Sequence, residues 1–160
     1  ETFFWTFCDD YLELVKERAY NQTDAGQASA ALALRLALST LLRLLAPVLA
    51  FATEEAWSWF EDGSIHTAAW PEPLEIAGDP AVLAAASAAL IGIRRAKTEA
   101  KASQKTPVAR LVLRADDATI AALRSAEGDL KAVGRIAELE LIGGGDALAV
   151  DAVELATEEV

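Results

Sequence analysis

The chain has 160 residues, 53% of them apolar, and a formal net charge of −11. That length holds one domain, or one domain with a small appendage, and the apolar share is enough for a core, which excludes an intrinsically disordered chain. The single cysteine, Cys8, excludes an intramolecular disulfide and fits a reducing, cytoplasmic setting, while the acidic balance speaks against a general nucleic-acid binder.

The chain opens in the middle of a core-type helix, as a segment of a larger protein does. Phe4, Phe7, Tyr11, Leu14, Val15 and Arg18 recur at spacings of three and four and form one stripe, with Trp5, Asp9, Leu12 and Lys16 on a neighbouring one. Most of these aromatics are read as packing residues. After the polar break at 21–26, a second helix begins near Gln27, rich in Ala and Leu and apolar nearly all round. It predicts a central helix buried by several neighbours. The apolar run from Ala28 to Ala52 is interrupted by Arg35, Arg43 and Pro47, which predicts a soluble helix rather than a membrane span.

Pro47 kinks or ends that helix, and Thr53-Glu54-Glu55 reads as an N-cap with two acids in the next first turn. A short helix bearing Trp57, Trp59 and Phe60 stops at Asp62-Gly63. Residues 64–73, with Trp70-Pro71 and Pro73, form an extended arm. Asp79-Pro80 caps a helix running from Ala81 to about Ala102, with Val82, Ala86, Leu90, Ile93 and Lys97 on its buried side. Residues 108–113 read as a strand. A helix over 117–127 and a short one near 130–133 follow, then an alternating strand at 136–142. Gly143-Gly144-Gly145 is taken as a hairpin turn into a last strand over 147–153, antiparallel to its predecessor. The predicted fold is mainly α: a helical bundle over 1–105, then a small α+β subdomain of β-α-β-β order over 106–160.

Seven of the 14 basic residues lie between Arg94 and Arg114, so a polyanion contact is sought there first. Catalytic constellations are largely absent. His66 is the only histidine, which excludes a His-based metal cluster, and Cys8 sits among core-type residues. The acids Asp9, Asp10 and Glu13 read as a solvated helix face, and Trp57, Trp59 and Trp70 as packing residues rather than a ligand platform. On chemistry alone this is a non-catalytic, metal-free helical module.

Three segments carry a resemblance. Phe7-Cys8-Asp9-Asp10-Tyr11-Leu12-Glu13 with Lys16 is similar to the Phe-Cys-Asp-x-Tyr-Leu-Glu-x-x-Lys helix of the anticodon-binding bundle of bacterial valyl-tRNA synthetases, which are class Ia aminoacyl-tRNA synthetases. Leu44-Leu45-Ala46-Pro47-Val48-Leu49-Ala50-Phe51-Ala52-Thr53-Glu54-Glu55-Ala56-Trp57 resembles the Leu-x-Pro-hydrophobic-x-Pro-Phe-x-Thr-Glu-Glu-x-Trp stretch. Ser64-Ile65-His66 with Trp70-Pro71 resembles the Ser-Ile-x-x-x-x-Trp-Pro arm. Order and spacing agree over about residues 3–115, and the Ala-rich, Met-free composition resembles actinobacterial members. Asp10 departs from the Trp of many members, and Ala50 from a second proline. Isoleucyl and leucyl enzymes share the Pro-Phe-x-Thr-Glu-Glu logic; the Tyr-Leu-Glu helix favours the valyl type. A non-enzymatic helical protein-interaction module is the alternative from another class.

The resemblance implies a parent that activates valine with ATP and Mg²⁺ and esterifies it to tRNA(Val). Its nucleotide-binding signatures lie in an upstream catalytic domain of the same polypeptide, and the coiled coil that often follows in the family lies outside this chain. It implies tRNA as partner, with no DNA and no membrane. Leu12 and Glu13 are then the candidates for touching anticodon bases, with Trp5, Asp9 and Lys16 beside them, and Lys97, Lys101 and Lys105 for the tRNA backbone.

Overall fold

A helical run begins the fold: α1 (Thr2–Trp5), a π-helical segment (Thr6–Tyr11) and α2 (Leu12–Tyr20) follow one another with helical backbone at both junctions. Residues 2–73 and 77–156 are described by a computed structural model, in which the chain packs as two units. One is drawn from residues 1–20 and 78–160, the other from 21–77.

In the first unit, α5 (Pro80–Glu99) starts where Asp79 Oδ1 accepts the Ala81 amide at 2.9 Å and Pro80 occupies the first turn. It stops at Glu99, not near 102. The Ala102 amide donates to Lys97 O and the Lys101 amide to Thr98 O, both at 2.9 Å. This is a Schellman closure with Lys101 at φ +54° where glycine is usual. The strand β1 (Val108–Arg114) leads into α6 (Asp117–Ser125), α7 (Glu127–Gly134) and β2 (Ile136–Ile142), and β3 (Ala149–Leu155) closes the sheet. The sheet order is β2-β1-β3, with β1 parallel to β2 and antiparallel to β3.

The last two strands run in opposite directions, as expected, but they do not pair, so residues 143–145 are not a hairpin turn. They carry the chain across the end of β1. The Gly145 amide donates to Ala115 O at 3.0 Å, and a Cβ there would lie 3.0 Å from Arg114 Cγ. Alternation fixed which face each strand buries and was blind to which strand stood beside it. Leu90, Ile93, Leu111, Leu113, Leu123 and Leu130 are sealed in one core between the helices and the sheet. Because α5 belongs to that core, the packing does not divide at the expected boundary near 105. The mainly helical fold with a small β subdomain is as expected.

In the second unit, α3 (Gln27–Leu45) ends just before Pro47, and α4 (Ala50–Ser58) follows. Thr53 is therefore inside a helix rather than capping one: it is buried, and its hydroxyl donates to Leu49 O at 2.9 Å. Ala46, Trp57 and Ile65 form the small core. Contrary to expectation, α3 is not buried all round. Ala30 is its one buried residue, and Leu32, Leu38, Leu44 and Leu45 are exposed. By length and composition α3 is apolar enough to cross a membrane. Its arginines bond within the unit, Arg35 to Glu61 at 2.9 Å and Arg43 to Ala69 O at 3.2 Å.

Candidate nucleic-acid interface

The π-helical segment widens the turn just ahead of Leu12-Glu13, where the Leu12 amide donates to Phe7 O, five residues back. Such turns often mark functional positions in helices. Below it Leu14 and Val15 enter the core, so the first unit grips α2 by its middle. Arg18 ties the far end to α7 through a two-pronged bond to Asp129 at 3.0 and 2.9 Å. Above it the aromatics are not packing residues as a group: Phe3, Phe4 and Trp5 are exposed, while Phe7 stacks between Phe3 and Tyr11 at 5.7 and 5.6 Å.

The expected reading edge is thus fastened from behind and partly accessible. Leu12 is half-buried, Asp9 exposed, and Trp5 55% exposed. Glu13 pairs with Lys16, whose Nζ lies 2.8 Å from Oε1 and 2.9 Å from Oε2. The two side chains are 42% and 52% exposed. An exposed pair of this kind is worth about 0–1 kcal/mol, so an incoming donor displaces Lys16 at little cost. Asp10, the departure from the family motif, faces Arg94 at 3.6 Å, and the same arginine donates to Asp9 O at 2.9 Å. This fastens the motif to α5.

The basic run is largely spent within the protein. Arg95 pairs with Glu99, Arg110 with Glu140 and Glu154, and Arg114 with Asp151. Lys97 corrects the expectation drawn from charge. It is 1% exposed and cannot lie along a nucleic-acid backbone on an open helix face. Its ammonium donates to Gln104 O at 3.1 Å and to Gly134 O at 2.9 Å. Burial pushes it below the usual lysine range, and the nearby Arg135 guanidinium adds to the shift. Lys101 and Lys105 are exposed. A cavity of about 370 Å³ brings Glu13 and Lys16 together with Lys97 and Lys105, and adds Arg94 and Arg135. Trp5, Asp9, Leu12 and Lys101 are not in its wall.

Residues 1–113 match the family model for the anticodon-binding domain of tRNA ligases. The chain belongs to that family. It is 56% identical over 157 residues to a valine–tRNA ligase of Leifsonia xyli, covering 96% of this chain and 18% of the relative. It is 51% identical over 165 residues to one of Thermobifida fusca (99% and 18%), and 47% over 157 residues to one of Cutibacterium acnes (95% and 18%). The chain therefore spans less than a fifth of these relatives' length.

The other two motifs of this anticodon-binding domain meet in the second unit and hold each other. Glu54 Oε2 accepts from Ser64 Oγ at 3.0 Å and from the Ile65 amide at 2.9 Å, and Ile65 packs on Trp57. Their work is to lock the arm to α4. Sequence reasoning missed Arg94, Gln104 and Arg135. Arg94 lay inside the basic run that was singled out. Arg135 left only a faint trace, an arginine directly after Gly134 at a helix end.

Proposed function

We propose that this anticodon-binding domain docks tRNA, and tRNA(Val) in particular, along the edge formed by Leu12, Glu13 and Lys16 with Trp5 and Asp9 beside them. The observation that carries the reading is the match of nearly the whole chain to valine–tRNA ligases, together with a half-buried Tyr-Leu-Glu helix fastened from behind by Arg18 and Arg94. Anticodon bases are single-stranded, so they can be splayed, stacked and read along their edges. Glu13 accepts a hydrogen bond from an exocyclic base amine once Lys16 swings to a phosphate. The base contact gives specificity and the phosphate contact gives position. Trp5 and Leu12 offer apolar surface for stacking.

In this reading, valine activation with ATP and Mg²⁺ and its transfer to tRNA belong to a catalytic domain of the same polypeptide outside this chain, in a cytoplasmic enzyme. The bonds that tie Arg35 and Arg43 of α3 into its own unit support an aqueous setting. The test is binding of tRNA(Val) and a non-cognate tRNA to the chain across salt concentrations. Salt-sensitive binding that prefers tRNA(Val) is expected. Equal affinity for both, or no binding at low salt, contradicts the reading.

A further inference from the structure

The cavity behind α2 collects charge that the rest of the chain lacks. Five cations and two carboxylates line it, a net formal charge of +3 in a protein of −11. Three of those cations, Lys97, Lys105 and Arg135, have no carboxylate within ion-pair distance among the described residues. Lys97 is buried as a whole, and two of its three N–H groups reach carbonyls. A buried ammonium served only by carbonyls is costly to hold. Arg135 stands in left-handed backbone, φ +53°, which costs a non-glycine residue about 1–2 kcal/mol. One N–H of its guanidinium donates to Lys105 O at 3.2 Å, which fixes the fork against the cavity wall. Strain kept by a residue whose side chain aims at a charged cavity points to use of that side chain.

We propose that this cavity seats one phosphate group, clamped by the exposed Lys105 and Arg135 with the charge of the buried Lys97 behind them, and that its source is a backbone phosphodiester of the RNA read at Glu13. The source, though not the seat, rests on the tRNA-docking function proposed above. A tetrahedral phosphate presents acceptor oxygens in several directions. That suits cations arriving from a loop and a helix end, with an arginine fork as one of them. The seat shares Glu13 and Lys16 with the reading edge, so a phosphate held there fixes the register of the bases.

The test uses the intact chain with Lys105→Gln and Arg135→Asn, both exposed positions, asparagine being tolerated in left-handed backbone. Inorganic phosphate at constant ionic strength is followed through the amide signals of residues 104–105 and 134–135. In parallel, the salt slope of tRNA(Val) binding is measured. The proposal expects saturable phosphate shifts weakened at least fivefold in each variant. It also expects the salt slope to fall by about 0.7–0.9 in the double variant, one phosphate's worth. Saturation by phosphate without any tRNA binding keeps the seat for a free phosphate and removes the RNA source. Normal tRNA binding with an unchanged slope in the double variant and no response to phosphate overturns the seat and leaves the tRNA reading standing.

Discussion

Leu90, Leu111, Leu113, Leu123 and Leu130 are sealed between helices and sheet in one unit, while Leu32, Leu38, Leu44 and Leu45 of α3 stand exposed in the other. The residue type is the same and the outcome opposite, because burial follows the presence of a facing layer. The unit with the sheet supplies that layer from both sides of α5. Among its described residues the 21–77 unit has a small core of Ala46, Trp57 and Ile65 with Leu42, Phe60 and Ala68 against it, supplemented by polar fastening, Glu54 to the Ser64-Ile65 turn and Arg35 to Glu61.

The contrast breaks first at the leucines. Leu111→Ala is expected to cost about 2–5 kcal/mol, and Leu38→Ala about 0.5 kcal/mol or less, by urea unfolding. Equal costs would remove the distinction. Next, Glu54→Ala strips two donors of their acceptor and should cost about 1–3 kcal/mol, measured by unfolding read at Trp57 fluorescence. Glu54→Gln, which keeps an acceptor oxygen, should recover much of it. No difference between the two variants would mean that the polar fastening does not help order this unit.

The buried lysine sharpens the comparison through pH. Burial favours its neutral form, so between its lowered folded-state value and the usual 10.5 the unfolded chain binds more protons than the folded one. Stability from this group therefore rises with pH across that window and is lost as pH falls through the folded value. The difference in unfolding free energy between the native chain and Lys97→Met should carry that slope, and a flat difference contradicts the burial. The smallest effect is at the end of α5. Lys101→Gly relieves left-handed backbone and should stabilise by about 0.5–1 kcal/mol, seen as a raised denaturant midpoint.

Helix positions and strand faces were legible because they follow from local period: the β2 limits and the Asp79-Pro80 start are where the sequence put them. What was not legible depends on partners. Period two cannot say that β1 lies between β2 and β3. An all-apolar helix such as α3 announces burial without saying whether this chain provides the neighbours. Lys97 carried two conflicting signals, a charge count that sent it to RNA and a helical period that put it on the buried side, and the period was right. Charge told where cations were dense, not which of them Glu99, Glu140, Asp151 and Glu154 had already claimed. The π-helical turn and the left-handed Arg135 left no periodic mark.

Whether the Leu12-Glu13 edge of α2 reads the anticodon is decided by the ratio of affinities for tRNA(Val) and for the same tRNA with its anticodon bases replaced. The ratio is measured with the native chain and with Glu13→Ala, which removes both acceptor oxygens. The substitution should collapse most of the native preference while leaving binding to the replaced anticodon within about twofold. A preference that survives Glu13→Ala unchanged would contradict base reading by this edge.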